Sequence, residues 1–328
     1  MRAAVITEQG LQIQNCPQPT PGPHQILVEV AYAALNRADL AMSAGHKHGA
    51  AGGSGAIGGL EFAGRVVAVG DAVSTFVEGD TVMCSGAGGY AEYALTDEAR
   101  CNPIPTPVAG DNGYSLAEAA TLPVALQTMH DAIVTNGGLI PGESVLIQGA
   151  SSGVGILGMQ IARVMGAKFV IGSATNAARR SRLLDCGADM VVDSRDKNWV
   201  SQVLEATQGK GVDLLVDQIS GYAANDNMQA TRILGRIVNV GRLGGMQGDF
   251  NFDLHALRRI QYIGVTFRTR STSEVQAINY AMRRDLWPAL EQHQLNIPID
   301  KIFSLEDAAE AQEYMRTNQH FGKILLQP

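Results

Sequence analysis

Apolar and polar positions follow two different rules along this chain. Through residue 120 the apolar runs are short and punctuated by Gly and Pro: Gln25–Tyr32, Phe62–Val69, Thr81–Cys84 and Tyr90–Leu95. Runs of that length with that punctuation predict strands, and several together predict a compact barrel-like domain. Prolines at 17, 19, 21 and 23 alternate, which predicts an extended connector before the second strand. From about residue 124 the pattern changes. Apolar runs at 144–148, 168–173, 190–193, 212–217, 236–240 and about 260–267 are mostly separated by helical stretches. Strands alternating with helices predict a doubly wound parallel sheet. Residues 268–328 are mixed: an amphipathic helix after Ser304, then a terminal strand at Gly322–Gln327 that rejoins the first domain. The expected fold is thus α/β, with a barrel-type domain of residues 1–123 and 268–328 and an inserted doubly wound domain of residues 124–267.

The run Ser144-Val-Leu-Ile-Gln-Gly-Ala-Ser-Ser-Gly-Val-Gly155 refines this picture. It reads as a buried strand, a tight small-residue turn and a helix starting near Gly153. Backbone can approach a pyrophosphate at such a turn, and the helix N-terminus offers N–H groups and a positive dipole end. Ala150, Ser151, Ser152, Gly153, Val154 and Gly155 are the expected contacts. Of the two literal Gly-x-Gly-x-x-Gly matches, Gly153-Val-Gly-Ile-Leu-Gly158 begins inside the helix, three residues later than the usual register of Ala150, Ser152 and Gly155, and Gly53-Ser-Gly-Ala-Ile-Gly58, with no strand before it and no helix after it, is set aside. A NAD site usually places an acid for the ribose hydroxyls about 20 residues past the turn. No acid occurs from Phe169 through Leu184, whereas Arg179, Arg180 and Arg182 do. Those arginines suit a 2′-phosphate, so the expected cofactor is NADPH.

The chain has 328 residues, 45% apolar and 17% charged, with net charge −7. That size exceeds a typical single core, and the net charge argues against nucleic-acid or anionic-membrane partners. Cys16, Cys84, Cys101 and Cys186 are scattered without pairing or zinc motifs, which suits a reducing compartment. With no signal-peptide core at Met1–Glu8, the expected location is cytoplasmic. Residues 144–162 are uncharged but hold Gln148 and Gln160, so a strand–turn–helix is favoured there over a membrane span. His46 and His48 read as a surface-loop pair, and His130 beside Asp131 as a satisfied helix residue.

Ala34-Leu-Asn-Arg-Ala-Asp39, Gly59-Leu-Glu-Phe-Ala-Gly64, Gly88-Gly-Tyr-Ala-Glu92, Leu122-Pro-Val-Ala125, Gly187-Ala-Asp189 and Gly322-Lys-Ile-Leu325 join the turn in one pattern. Together they resemble the medium-chain dehydrogenase/reductase superfamily, in its zinc-independent NADPH:quinone oxidoreductase branch, over essentially the whole chain. The resemblance implies a GroES-like catalytic domain beside a Rossmann domain. Zinc-dependent relatives carry Cys at the position of Asn36 and His at that of Leu60, and insert a four-cysteine lobe absent here between Cys84 and Tyr90. No metal is therefore expected, and hydride transfer to an electron-poor quinone or enone is. The resemblance puts Asn36 and Asp39 in the substrate cleft, the amide donating to a developing oxyanion. A capped turn at a helix start is the alternative for both.

Lys47 stands where the branch often has a cleft tyrosine, and the glycine-rich loop 46–59 that holds it is expected to act as a lid, with Tyr90 and Phe267 as replacement aromatic surfaces. The resemblance places Arg179 on the 2′-phosphate and Ser194 at a second contact that has lost its tyrosine. It adds Thr128, Ser173, Val240, Gly241, Arg242, Phe267 and Lys323 to the cofactor set. It further implies a homodimer joined through the stretch 264–270. Two other functions stay open: an enone, alkenal or enoyl-thioester double-bond reductase, for which Lys47, Arg37 and Arg270 would form a basic entry groove, and a catalytically weak NADPH-binding structural or RNA-binding protein.

Overall fold

The computed structural model describes residues 1–49, 51–107 and 113–328. The chain forms two compact units, residues 1–124 with 267–328, and residues 125–266. Part of the expected first domain, residues 108–112, and Ala50 of the glycine-rich loop lie outside the described residues.

The first unit is a β-structure closed by both ends of the chain. Arg2–Thr7 and Gly10–Asn15 form a hairpin, which the apolar pattern did not single out. The larger sheet runs Ile299–Ser304, Lys323–Gln327, Gln25–Ala34, Glu61–Val69, Thr81–Ser85, Cys101–Pro103, with Tyr93–Asp97 also paired to Gln25–Ala34. The terminal strand rejoins this unit as expected: Leu325 pairs with Ala34 antiparallel, while the strand lies parallel to Ile299–Ser304. Ile26, Val28, Phe62, Val82, Cys84, Leu305, Ile324 and Leu326 pack together in its core. At roughly 1.5–3 kcal/mol for each large apolar side chain, this burial supplies much of the drive to fold. Gly64 has a steric reason: a Cβ there would lie 1.9 Å from the Glu29 carbonyl oxygen. Cys84 and Cys101 face each other across the sheet with free thiols, and burial pushes the Cys84 thiol well above its ordinary pKa. That favours the protonated, unreactive form.

The second unit is a six-stranded parallel sheet in the order Met190–Val192, Phe169–Ser173, Ser144–Ile147, Val212–Asp217, Thr231–Asn239, Gln261–Gly264. Val145, Leu146 and Ile147 are each fully buried, as a strand covered on both faces requires. Two boundaries differ from expectation. The strand expected at 236–240 starts at Thr231 and takes a register break near Leu234, whose φ is +63°. The strand expected at 260–267 stops at Gly264, so the stretch proposed for dimer pairing is a strand only in its first residue. Gln261–Gly264 is nonetheless an edge of this sheet. The helix Pro123–His130 runs on into a wider π-type turn at Asp131–Asn136. Among the described residues no helix is long and apolar enough to cross a membrane.

Candidate active site

The turn between Ser144–Ile147 and the helix Gly153–Val164 is built mostly from backbone. Gly149 sits at φ +70°, in the left-handed region open to glycine. A Cβ on Gly155 would lie 2.7 Å from both Ala150 Cα and the Gly149 carbonyl oxygen, so this position admits glycine alone. Ser152 caps the helix: its Oγ accepts from the Gly155 N–H at 3.0 Å and donates to the Gly149 carbonyl at 3.0 Å. The first N–H groups of any helix lack intrahelical acceptors. Here those of Gly153 and Val154 lie beside a turn with almost no side-chain bulk. Such a cradle fits a dinucleotide pyrophosphate.

Side chains brace that turn from behind. Ser173 is fully buried; its Oγ donates to Gln148 Oε1 at 2.5 Å and accepts from the Gly149 N–H at 3.0 Å. The structure thus corrects the expectation that Ser173 contacts cofactor: its hydroxyl is committed to shaping the turn. Ala150, another expected cofactor contact, is also fully buried, and its N–H donates to the Ser173 carbonyl at 2.8 Å, so it belongs to the frame of the turn and not to its open face. Gln218, which the sequence did not flag, donates through Nε2 to the carbonyls of Gln148 at 3.0 Å and Gly149 at 3.3 Å. A Cβ on Gly241 would meet the Gln218 carbonyl oxygen at 2.6 Å, so that glycine permits close approach of two chain segments.

Past the second strand the arginines divide. Arg180 donates to the Ala174 carbonyl at 2.8 Å and pairs with Asp193 Oδ2 at 2.9 Å. An acid therefore does stand near this position, delivered by the end of the neighbouring strand. Arg179 is half-buried and follows the cap residue Asn176, whose side chain accepts its N–H at 3.0 Å. Thr128, Ser151, Ser194, Val240, Arg242 and Phe267 are all partly exposed, as ligand contacts must be. Arg242 donates to the Val240 carbonyl at 3.1 Å.

In the first unit, Asn36 stands where the strand Gln25–Ala34 gives way to the helix Arg37–Ser43. It is 8% exposed, and both ends of its carboxamide are engaged. Nδ2 donates to Glu61 Oε1 at 2.8 Å, with a longer 3.4 Å contact to the Ala34 carbonyl. Oδ1 accepts from Lys323 Nζ at 2.8 Å. Lys323 also donates to the Leu35 carbonyl at 3.4 Å and forms a buried ion pair with Glu61. The other Glu61 oxygen accepts from the Val124 N–H at 2.8 Å. Two expectations are corrected. Lys323 is not placed to meet a cofactor, because its side chain is 4% exposed and its ammonium already has three acceptors. Nor is Asn36 a donor held ready for an oxyanion.

Asp39 is 1% exposed and completes the same turn. Its Oδ2 accepts from the Asn36 N–H at 2.6 Å and from the Tyr90 hydroxyl at 2.8 Å, while Oδ1 has no partner. Burial pushes this carboxyl up to about 7 despite those bonds and the Lys323 charge. Burial likewise raises Glu61, with the Lys323 charge opposing. Asn36 and Asp39 thus take the capped-turn arrangement, tied to a charge network. Tyr90 is fully buried, so it is not the aromatic surface expected in place of the missing tyrosine. Gly58 and Gly59 make room for it: Cβ atoms there would lie 2.7 and 2.5 Å from its ring. The set-aside glycine pattern is therefore explained partly by packing.

Lys47 is exposed. The end of its loop is pinned to the first strand, Gly55 N–H to the Ile6 carbonyl and Gly58 N–H to the Ala4 carbonyl at 2.8 and 3.0 Å. These bonds hold residues 55–58 against the first strand. Of the cations expected for a basic groove, Arg37 donates to Asn318 Oδ1 at 2.6 Å and Arg270 pairs with Glu274 at 3.4 Å.

Comparison with known proteins agrees with this anatomy. The "Alcohol dehydrogenase GroES-like domain" family matches residues 22–106, and the "Zinc-binding dehydrogenase" family matches residues 153–281. The chain is 28% identical over 334 residues to a quinone oxidoreductase of Rattus norvegicus, covering 99% of this chain and 97% of that protein. It is 31% identical over 320 residues to a phenolphthiocerol/phthiocerol polyketide synthase of Mycobacterium tuberculosis, covering 96% of this chain but only 14% of that protein. The crystal structure of an alcohol dehydrogenase superfamily protein from Novosphingobium aromaticivorans superposes with TM-score 0.88 at 26% identity, covering 100% and 99% of the two chains.

The second family description names zinc, and the residues here do not fit it. The Asn36 oxygen is held by an ammonium, its neighbour Glu61 is paired with the same ammonium, and position 60 is Leu. Among the described residues no three His, Cys, Asp or Glu side chains converge as a ligand set. The GroES-like unit, the parallel dinucleotide-binding sheet and the matches over nearly the whole chain lead to one assignment: this protein belongs to the medium-chain dehydrogenase/reductase superfamily.

Proposed function

We propose that this protein is an NADPH-dependent, zinc-independent reductase whose acceptor is a quinone. The observation that carries the reading is the network with Glu61 and Lys323 that commits Asn36, which stands where a zinc-dependent relative would need a donor. Without a Lewis acid the acceptor must already be electron-poor. A bound reduced nicotinamide supplies the hydride. The backbone at Ser151–Gly155 holds the pyrophosphate, Arg179 meets the 2′-phosphate, and Thr128, Ser194, Val240, Gly241, Arg242 and Phe267 complete the cofactor contacts. Arg180, already paired with Asp193, adds charge near the same end. Asn36 and Asp39 shape the acceptor side through the turn they build, and Lys47 faces the acceptor from its loop. Positioning supplies most of the rate. The protein works as a homodimer in the cytoplasm.

A double-bond reductase is the second reading, favoured by the 31% identity to a polyketide synthase. The test is NADPH and NADH oxidation by metal-stripped protein with an ortho-quinone, an α,β-unsaturated ketone and an enoyl thioester. NADPH consumed fastest with the quinone supports the first reading. Turnover of the enone or thioester alone replaces it with the second. Tight NADPH binding with no turnover of any acceptor overturns both.

A further inference from the structure

The buried ammonium of Lys323 has no part in binding or chemistry as proposed above. It is saturated, with an acceptor for each of its three hydrogens: Asn36 Oδ1, the Leu35 carbonyl and Glu61. Stability alone does not call for such a group. Replacing both members of a buried ion pair by apolar residues is often neutral or stabilising. What the charges add is direction. An ammonium accepts nothing, so the Asn36 carboxamide must turn its oxygen toward it. An ionised Glu61 donates nothing, so it must receive the NH2 end. A carboxamide without that pair can rotate about its Cβ–Cγ bond and exchange the two ends.

The same contacts grip backbone. Lys323 holds the Leu35 carbonyl, and the Leu35 N–H donates to the Ile324 carbonyl at 2.9 Å. One residue of the terminal strand and its neighbour thus hold both backbone polar groups of Leu35, one in each of the two successive peptides that lead into the turn. At the far side, Asp39 receives the Asn36 N–H.

We infer that Lys323 is a positioning residue: with Glu61 it clamps the Leu35–Asp39 turn, and the Asn36 carboxamide within it, in one orientation. That the clamp serves turnover rests on the reductase reading; that it exists does not. The test is the double variant Glu61→Gln with Lys323→Met, which removes both charges at similar volume and strands neither. Amide hydrogen exchange is followed by mass spectrometry in a peptide spanning residues 35–40, with one spanning 81–85 as reference in the same unit. Exchange in 35–40 is expected to quicken at least tenfold with the reference unchanged. With a quinone acceptor, kcat is expected to fall at least tenfold while KM for NADPH stays within twofold.

Unchanged exchange in 35–40, or equal acceleration in both peptides, overturns the clamp. Altered exchange with kcat within twofold overturns its service to catalysis. If the double variant does not fold, Glu61→Gln alone, which keeps an acceptor oxygen but removes the charge that fixes the carboxamide, is read by the same two outcomes. A parent protein that turns over no acceptor overturns the reductase reading instead, and the exchange comparison still decides the clamp.

Discussion

Two turns organise this molecule, and they are built in opposite ways. The turn at 149–155 follows a strand and opens a helix, and its shape comes mainly from glycine backbone and one capping serine three residues from its partner, with Ser173 and Gln218 bracing it from behind. The turn at 34–39 also follows a strand and opens a helix, but its shape comes from partners 25, 51 and 287 residues away in the chain. The first leaves backbone N–H groups open for an anion. The second spends its polar groups on the protein itself. A cradle for a charged ligand must stay unsatisfied until the ligand arrives, whereas a wall against which an acceptor rests must be satisfied and stiff.

The largest effect on ligand binding should come from damaging the first turn. Gly155→Val forces side-chain atoms into the Ala150 and Gly149 backbone, and dinucleotide affinity, read by fluorescence titration, should fall at least a hundredfold. Binding within tenfold of the parent would mean that the helix does not need its close approach. Next is the second turn. Glu61→Ala leaves the Lys323 ammonium buried without its carboxylate, and urea unfolding should show a loss of about 3–5 kcal/mol. A loss under about 1 kcal/mol would remove the contrast between the turns.

Asp39 sharpens the comparison through pH. Its folded pKa of about 7 lies above the ordinary 3.8, so the folded state binds the proton more tightly than the unfolded chain. That contribution is fully present below the unfolded pKa and is lost as pH rises through about 7. Across about three units it amounts to roughly 4 kcal/mol at most. Asp39→Asn mimics the protonated form and should flatten this part of the stability–pH curve. Parallel curves for parent and variant between pH 4 and 7 would refute it. The smallest effect is expected at Arg179, where replacement by Ala should reduce the NADPH-over-NADH preference in kcat/KM about tenfold, the measure of one charge-assisted phosphate contact. An unchanged ratio would pass that role to Arg180 or Arg182.

The same contrast explains what the sequence revealed. The parallel sheet, the 149–155 turn and the return of the last strand were legible because each rests on local pattern: uninterrupted apolar runs, small residues in a row, a glycine before a short strand. The charge network was not. Glu61 and Lys323 each sit within an otherwise apolar motif, and a charged residue at the head of a buried strand was the available signal for both. Their pairing depends on a sheet register that no local window contains. Asp193 escaped a search along the second strand because it arrives from the third. Tyr90 reads as an exposed aromatic candidate until Gly58 and Gly59 are seen to leave room for its ring.

The distance of Lys323 from Glu61, 262 residues along the chain, bears on how the protein is made. Residues 125–266 form a contiguous unit, able to fold while synthesis continues, as domains commonly do on the ribosome. The other unit cannot. Its sheet waits for strands at 299–304 and 323–327, and until the last of these emerges Glu61 has no counter-charge. The nascent chain therefore carries a finished dinucleotide-binding module and an incomplete second unit until the strand at 323–327, the one that sets the turn bearing Asn36, has been made.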